Sequence, residues 1–253
     1  MVRPIVAGLG AAGALTAAAV TGVAIMQPDR PVDGARLGVA SAAGDPVCIK
    51  TNVRLVEGMS AACYGRAQYE AMRDNRVIAA DGSAVRVALA HPSDAAAPAE
   101  TASTCAEYDS LVSGGYSALT SADMRREEYF RRACGALALL AKARPAGSSY
   151  FVGGKASEAD VRSMAVAETT GFDETGPGAP VDIAAVSDGV WRIRIGQGET
   201  MVYEIAHADF TGDGGGEILA YMTVGAAGGT ARTGAIGLME KASAGGPCGF
   251  RPR

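Results

Sequence analysis

Asp209, Thr211 and Asp213 stand at positions one, three and five of a glycine-rich loop, with Gly214 at six, Gly215 at seven and Glu217 at nine. Nowhere else in the chain do oxygen-bearing side chains recur at a spacing suited to holding a metal. Calcium takes about six to eight hard oxygens, and alternate residues of a tight loop can aim side-chain oxygens inward while glycine permits the turn. The side chains of Asp209, Thr211, Asp213 and Glu217 and the carbonyl of Gly215 are therefore the candidate ligands of a structural Ca2+. The EF-hand pattern fails twice, because position three is Thr211 rather than Asp or Asn and position twelve is Ala220 rather than a bidentate Glu. With three carboxylates, weak affinity is expected. The same residues also fit a plain polar turn joining two strands.

The flanks bear on that choice. Met201, Tyr203 and Ile205 alternate with Glu204 before the loop, and an apolar run from Ile218 to Val224 follows it, so a strand, a loop and a strand are predicted. The segment resembles the calcium loops of FG-GAP and VCBS-type repeats, in which an apolar strand ends in Asp-Phe-x-Gly-Asp-Gly and resumes after an acidic residue. The match covers roughly residues 200–224 and occurs once. Those families build propellers from several copies, so the resemblance implies a calcium loop between strands and does not imply a propeller.

Other chemistry is sparse. The sequence holds no G-x-S-x-G elbow, S-x-x-K pair or H-E-x-x-H motif. Gly153-Gly154-Lys155 approaches a Walker loop, but Ser149 stands where its first glycine belongs and Ala156 where a Ser or Thr should hold magnesium. It reads as a glycine turn. His91 and His207 are the two histidines, and neither is read with a local nucleophile partner. Arg192 and Arg194 are expected to share a face with Glu204, as a surface ion pair worth under about 1 kcal/mol.

The elements that must position these residues follow from pattern. Val190-Trp191-Arg192-Ile193-Arg194-Ile195 alternates, the two loop-flanking strands follow, and residues 230–241 supply a fourth, giving an antiparallel meander with Trp191, Ile193 and Ile195 toward the core. Ahead of it, helices are predicted over residues 61–73, 105–112, 121–143 and 157–168, the last two opened by capping boxes at Thr120-Ser121-Ala122-Asp123 and Ser157-Glu158-Ala159-Asp160. On the longest helix Met124, Phe130, Cys134, Leu137 and Leu140 form the apolar stripe, and its charged residues, Arg132 included, form a solvated face. A hairpin is expected around Asp81-Gly82. The fold class is α+β: an N-terminal apolar helix, a helical middle region with a short hairpin, and a C-terminal antiparallel β-meander carrying the loop.

The chain has 253 residues, 48% of them apolar, enough for one moderate domain or two small ones. With 23 basic against 27 acidic residues and no long run of one sign, nothing points to nucleic acid. An uncharged run from Ile5 to Met26 follows Arg3, so residues 1–26 read as a signal peptide or an uncleaved membrane anchor. Residues 27–47 read as a flexible linker, and residues 48–253 as an exported α+β body with a soft boundary near 91–103 and a β-rich part at 183–243. All five cysteines follow the apolar run, where an oxidising compartment lets them pair; Cys48–Cys63 and Cys105–Cys134 are the preferred pairs, with Cys248 left over.

Two readings from different classes remain. One is an envelope-exposed, non-catalytic binding or accessory protein, periplasmic or anchored in the inner membrane through residues 5–26, that contacts another envelope or membrane protein. The other is a secreted hydrolase with a structural calcium loop and an active site assembled around His91 or His207.

Overall fold

A computed structural model describes residues 46–50, 53–93, 98–168, 180–229 and 232–253. The signal peptide or anchor at 1–26, and the linker at 27–47 up to residue 45, fall outside the described residues. Among the described residues no helix is long and apolar enough to cross a membrane.

In chain order the elements are β1 (Val47–Cys48), β2 (Cys63–Tyr64), α1 (Arg66–Ala71), β3 (Val87–Leu89), β4 (Glu100–Ala102), α2 (Cys105–Ser113), α3 (Ser121–Leu140), β5 (Ser148–Ser149) and α4 (Glu158–Glu168). Then come β6 (Val181–Ser187), β7 (Val190–Ile195), β8 (Gly198–Ala208), β9 (Gly215–Ala226), β10 (Arg232–Lys241) and β11 (Cys248–Pro252). The last six form one antiparallel sheet in the order β11-β10-β9-β8-β7-β6, and β5 joins it as a seventh strand, parallel to β9. The α+β class is therefore correct, and the meander is longer than the four strands expected.

Helices cover both faces of this sheet, as the alternation of its strands requires. Leu219, Ile236 and Leu238 point to one core with Phe130, Ala133, Leu137 and Leu140 of α3. Ile218, Ala220 and Met239 point to the other, with Phe151 and with Val161 and Met164 of α4. A bulge in β8 between Glu204 and Ala206 turns Ile205 and Ala206 both toward the α3 side. Gly135, inside α3, lets helix and sheet approach, since a Cβ there would stand 2.9 Å from Cγ2 of Ile236.

The helix starts follow the expected chemistry. Thr120 Oγ1 accepts from the Asp123 amide at 3.1 Å, and Ser157 Oγ and the Asp160 carboxylate cap each other's backbone at the start of α4. Both preferred disulfides form: Cys48–Cys63 joins β1 to β2, Cys105–Cys134 joins α2 to α3, and Cys248 is free and buried. Loops of 15 and 29 residues closed in this way stabilise by about 3 and about 4 kcal/mol through the unfolded chain.

Several local expectations are corrected. The helix placed over 61–73 is only Arg66–Ala71 with a short 3-10 turn after it. The hairpin at Asp81-Gly82 forms but is short, with the Ala79 amide on the Ser83 carbonyl, the Val85 amide on the Val77 carbonyl and a bridge between Ile78 and Ala84, and β3 beyond it pairs with β4 at 100–102. Trp191, Ile193 and Ile195 do pack toward the α4 core. Glu204 lies on their side and not with Arg192 and Arg194, because the register sets Trp191 opposite Val202 and Arg192 opposite Met201. Phe130, Cys134, Leu137 and Leu140 of the stripe read on α3 are buried, but Met124 is exposed and Arg132, expected on the solvated face, is buried.

Candidate functional site

The loop lies between β8 and β9, as expected, and segment 144–149 straps it in place. Arg144 and Asp209 exchange two backbone hydrogen bonds of 2.9 and 2.8 Å, the amides of Gly147 and Ser148 donate to the Gly214 carbonyl, and β5 runs along Gly215 and Gly216. β10 pairs with β9 only as far as Ile218, which leaves that stretch open to β5.

Of the five proposed ligand residues, the fold brings three carboxylates together: Asp209, Asp213 and Glu217 offer oxygens within 4.8 Å of one another. Asp209 and Glu217 are buried, at 5% and 7% exposure, and Asp213 is exposed. Asp209 accepts from the amides of Gly212 and Gly214 at 2.6 and 3.1 Å, and Asp213 from the amide of Gly215 at 2.7 Å. Glu217 accepts from the Phe210 amide at 2.8 Å and the Thr211 hydroxyl at 3.2 Å. Thr211 thus supports a carboxylate, and Gly215 sits in register with Ser148 at the start of β9. Each carboxylate keeps further lone pairs for a cation. Burial pushes the Glu217 carboxyl up, and the charges of Asp213 and Asp209 add to this against the pull of Phe210 and Thr211. Among the described residues no Lys, Arg or His side chain forms an ion pair with any of the three. A dication fits this donor set.

Both histidines have serine neighbours that the sequence reading did not assign. His207 Nε2 lies 2.9 Å from Ser149 Oγ, across 58 positions of chain. The ring lies over Gly154 and Gly216, where a Cβ at either position would overlap it. Burial lowers the His207 pKa and the nearby Lys50 lowers it further, so the ring is neutral near pH 7. Lys50 itself is held by the Gly154 carbonyl at 2.6 Å. Beyond it the buried Glu204 accepts from Trp191 Nε1 at 2.9 Å, and burial raises its pKa. No described carboxylate hydrogen-bonds His207, so Ser149 and His207 form a pair without the orienting third group of a triad. Ser149 Oγ is also engaged by the Phe151 amide at 3.0 Å and the Gly216 carbonyl at 3.2 Å. His91 Nδ1 meets Ser93 Oγ at 2.8 Å in an exposed turn and packs edge-on against Tyr116.

No protein-family model, curated protein or solved structure matches this chain.

Proposed function

We propose that the chain is an exported, non-catalytic binding or accessory protein whose body is set by two disulfides and by a structural calcium ion in the 209–217 loop, and which contacts another envelope or membrane protein. The observation that carries this reading is the disulfide pairing: Cys48–Cys63 and Cys105–Cys134 both form, as suits an oxidising compartment outside the cytoplasm. The uncompensated carboxylates of Asp209, Asp213 and Glu217 support the calcium part. The Ile5–Met26 run supplies the export signal or anchor. The test is purification of the tagged full chain from its own cells in mild detergent, with co-eluting proteins quantified by mass spectrometry. A stoichiometric envelope or membrane protein is expected; recovery of the chain alone in the soluble envelope fraction overturns the accessory role.

The hydrolase reading is favoured by one observation, the 2.9 Å approach of His207 to Ser149. Without an acceptor to orient the imidazole, general-base activation of the serine is weakened. A fluorophosphonate probe separates the two: no labelling is expected, whereas labelling that Ser149→Ala abolishes would replace the accessory reading with the hydrolase.

A further inference from the structure

On the α3 side of the sheet, a groove of about 1370 Å³ runs between α3 and strands β8 to β10. It is larger than the roughly 300–1,000 Å³ of a small-molecule pocket. Its basic lining is Lys50, Arg54, Arg125, Arg126, Arg132 and Arg232, against two acids, Glu128 and Asp188. Asp188 is paired with Lys155 at 2.6 Å and Glu128 accepts from Thr233 Oγ1 at 3.1 Å, while among the bases Arg126 is paired with Asp123 at 2.9 Å and Arg232 with Glu199, which leaves Lys50, Arg54, Arg125 and Arg132 outside any ion pair among the described residues. A concentration of positive charge therefore lines one concave surface of a chain whose net charge is −4.

The groove contains a built feature as well as charge. Arg132 is only 9% exposed, and its guanidinium carbon stands 5.3 Å from the ring centre of Tyr129 and 4.9 Å from that of Tyr221. Its Nε is buried and meets no hydrogen-bond acceptor, and its Nη2 reaches the Ile78 carbonyl only at 3.5 Å. Arg232 gives one nitrogen to Glu199, while its Nη1 is buried and unpaired among the described residues. Leaving buried cationic donors unmade is costly for folding alone. Arg54 and Arg125 are exposed at the rim, and neither forms an ion pair among the described residues.

We propose that this groove docks an acidic segment of a polypeptide partner, with side-chain carboxylates on the arginines and the chain laid across Tyr203 and Tyr221. This deepens the accessory-protein reading and rests on it. Arginine and tyrosine dominate the cores of protein interfaces while lysine is depleted there, and five of the six basic residues here are arginine, beside three tyrosines. Arginine also takes a carboxylate through two parallel hydrogen bonds, which lysine cannot do.

The test uses the full chain and a fluorescent oligo-glutamate peptide of about ten residues, read by anisotropy across a salt series. Saturable binding that weakens with salt and falls at least about tenfold in Arg54→Glu/Arg125→Glu is expected, both sites being exposed. Arg132→Met should also lose at least about tenfold in binding while its melting temperature does not fall, which separates a ligand contact from a structural one. Two outcomes overturn the proposal. One is no binding of the peptide by the folded wild type; the other is binding of an oligogalacturonate in its place, which assigns the groove to an acidic glycan. Failure of the purification experiment with success here would remove the envelope partner and leave the groove's chemistry standing.

Discussion

Calcium should raise the melting temperature of this protein, and Asp213→Ala should remove the response. Three carboxylates within 4.8 Å of one another repel. At about 4 Å and an effective dielectric of about 20, a pair of unit charges interacts by roughly 4 kcal/mol, so the apo loop carries a repulsion that a dication offsets. If its affinity is that of an extracellular module, a dissociation constant of about 10⁻⁴ M, then about 10 mM calcium stabilises the fold by about 2.7 kcal/mol. For a domain of this size that is a shift of roughly 5–10 °C. Asp213 is exposed and accepts only the Gly215 amide, so Asp213→Ala in chelator should melt within about 2 °C of wild type. The assay is thermal unfolding of both proteins in chelator and across a calcium titration, with magnesium as the control for a smaller, octahedral ion. Coincident melting of the wild type with and without calcium, or an undiminished response in the variant, refutes the reasoning.

Three further predictions concern packing within the body of the fold. Burial works to raise the Asp160 carboxyl, but Lys241 at 2.5 Å and the amide and hydroxyl of Ser157 outweigh it and hold the group below the ordinary carboxylate value. The unfolded chain then binds this proton more readily, so the contribution is present above the unfolded value of about 3.9 and is lost as pH falls through the lower folded value. Chemical denaturation in a pH series should show that acid loss, and Lys241→Met should flatten it while costing about 3–5 kcal/mol at neutral pH, because it leaves a buried charge unpaired. Gly216→Ala should destabilise by about 1–3 kcal/mol through overlap with the His207 ring and with Ala146 Cβ, and His207→Ala should relieve the first of these in a double-mutant cycle; additive effects would contradict the packing. Replacing Cys105 and Cys134 together by alanine should cost about 4 kcal/mol in a denaturant titration, and an unchanged midpoint would argue against the bridge.

How much of this was legible depended on whether a residue's placement is decided locally. Thr120 and Ser157 announce helix starts because a side-chain oxygen three positions from a free amide needs nothing else. β8 and β9 were legible because each is long and patterned on two faces, and the loop between them because its three carboxylates lie within nine positions. The edge strands β6 and β11 were missed: one carries Ala184-Ala185, the other Gly249 and Pro252, and both owe their extended form to the neighbour they pair with. β5 is two residues long and exists only because β9 offers it an open edge. The side-chain facts most relevant to function were the least visible. Arg132 reads as a surface residue by helical period and is buried by Tyr221 from a strand far along the chain. The Ser149–His207 approach likewise spans 58 positions, and no short-range pattern could have signalled it.

Export to an oxidising compartment underlies the whole account, and differential alkylation tests it most directly. The protein would be taken from its own cells with thiols blocked at lysis, denatured, labelled with a second alkylator before and after reduction, and read by peptide mass spectrometry. Cys248 should label after denaturation without reductant, being free but buried, while Cys48, Cys63, Cys105 and Cys134 should label only after reduction. All five reacting without reductant would place the chain in a reducing compartment and contradict the claim.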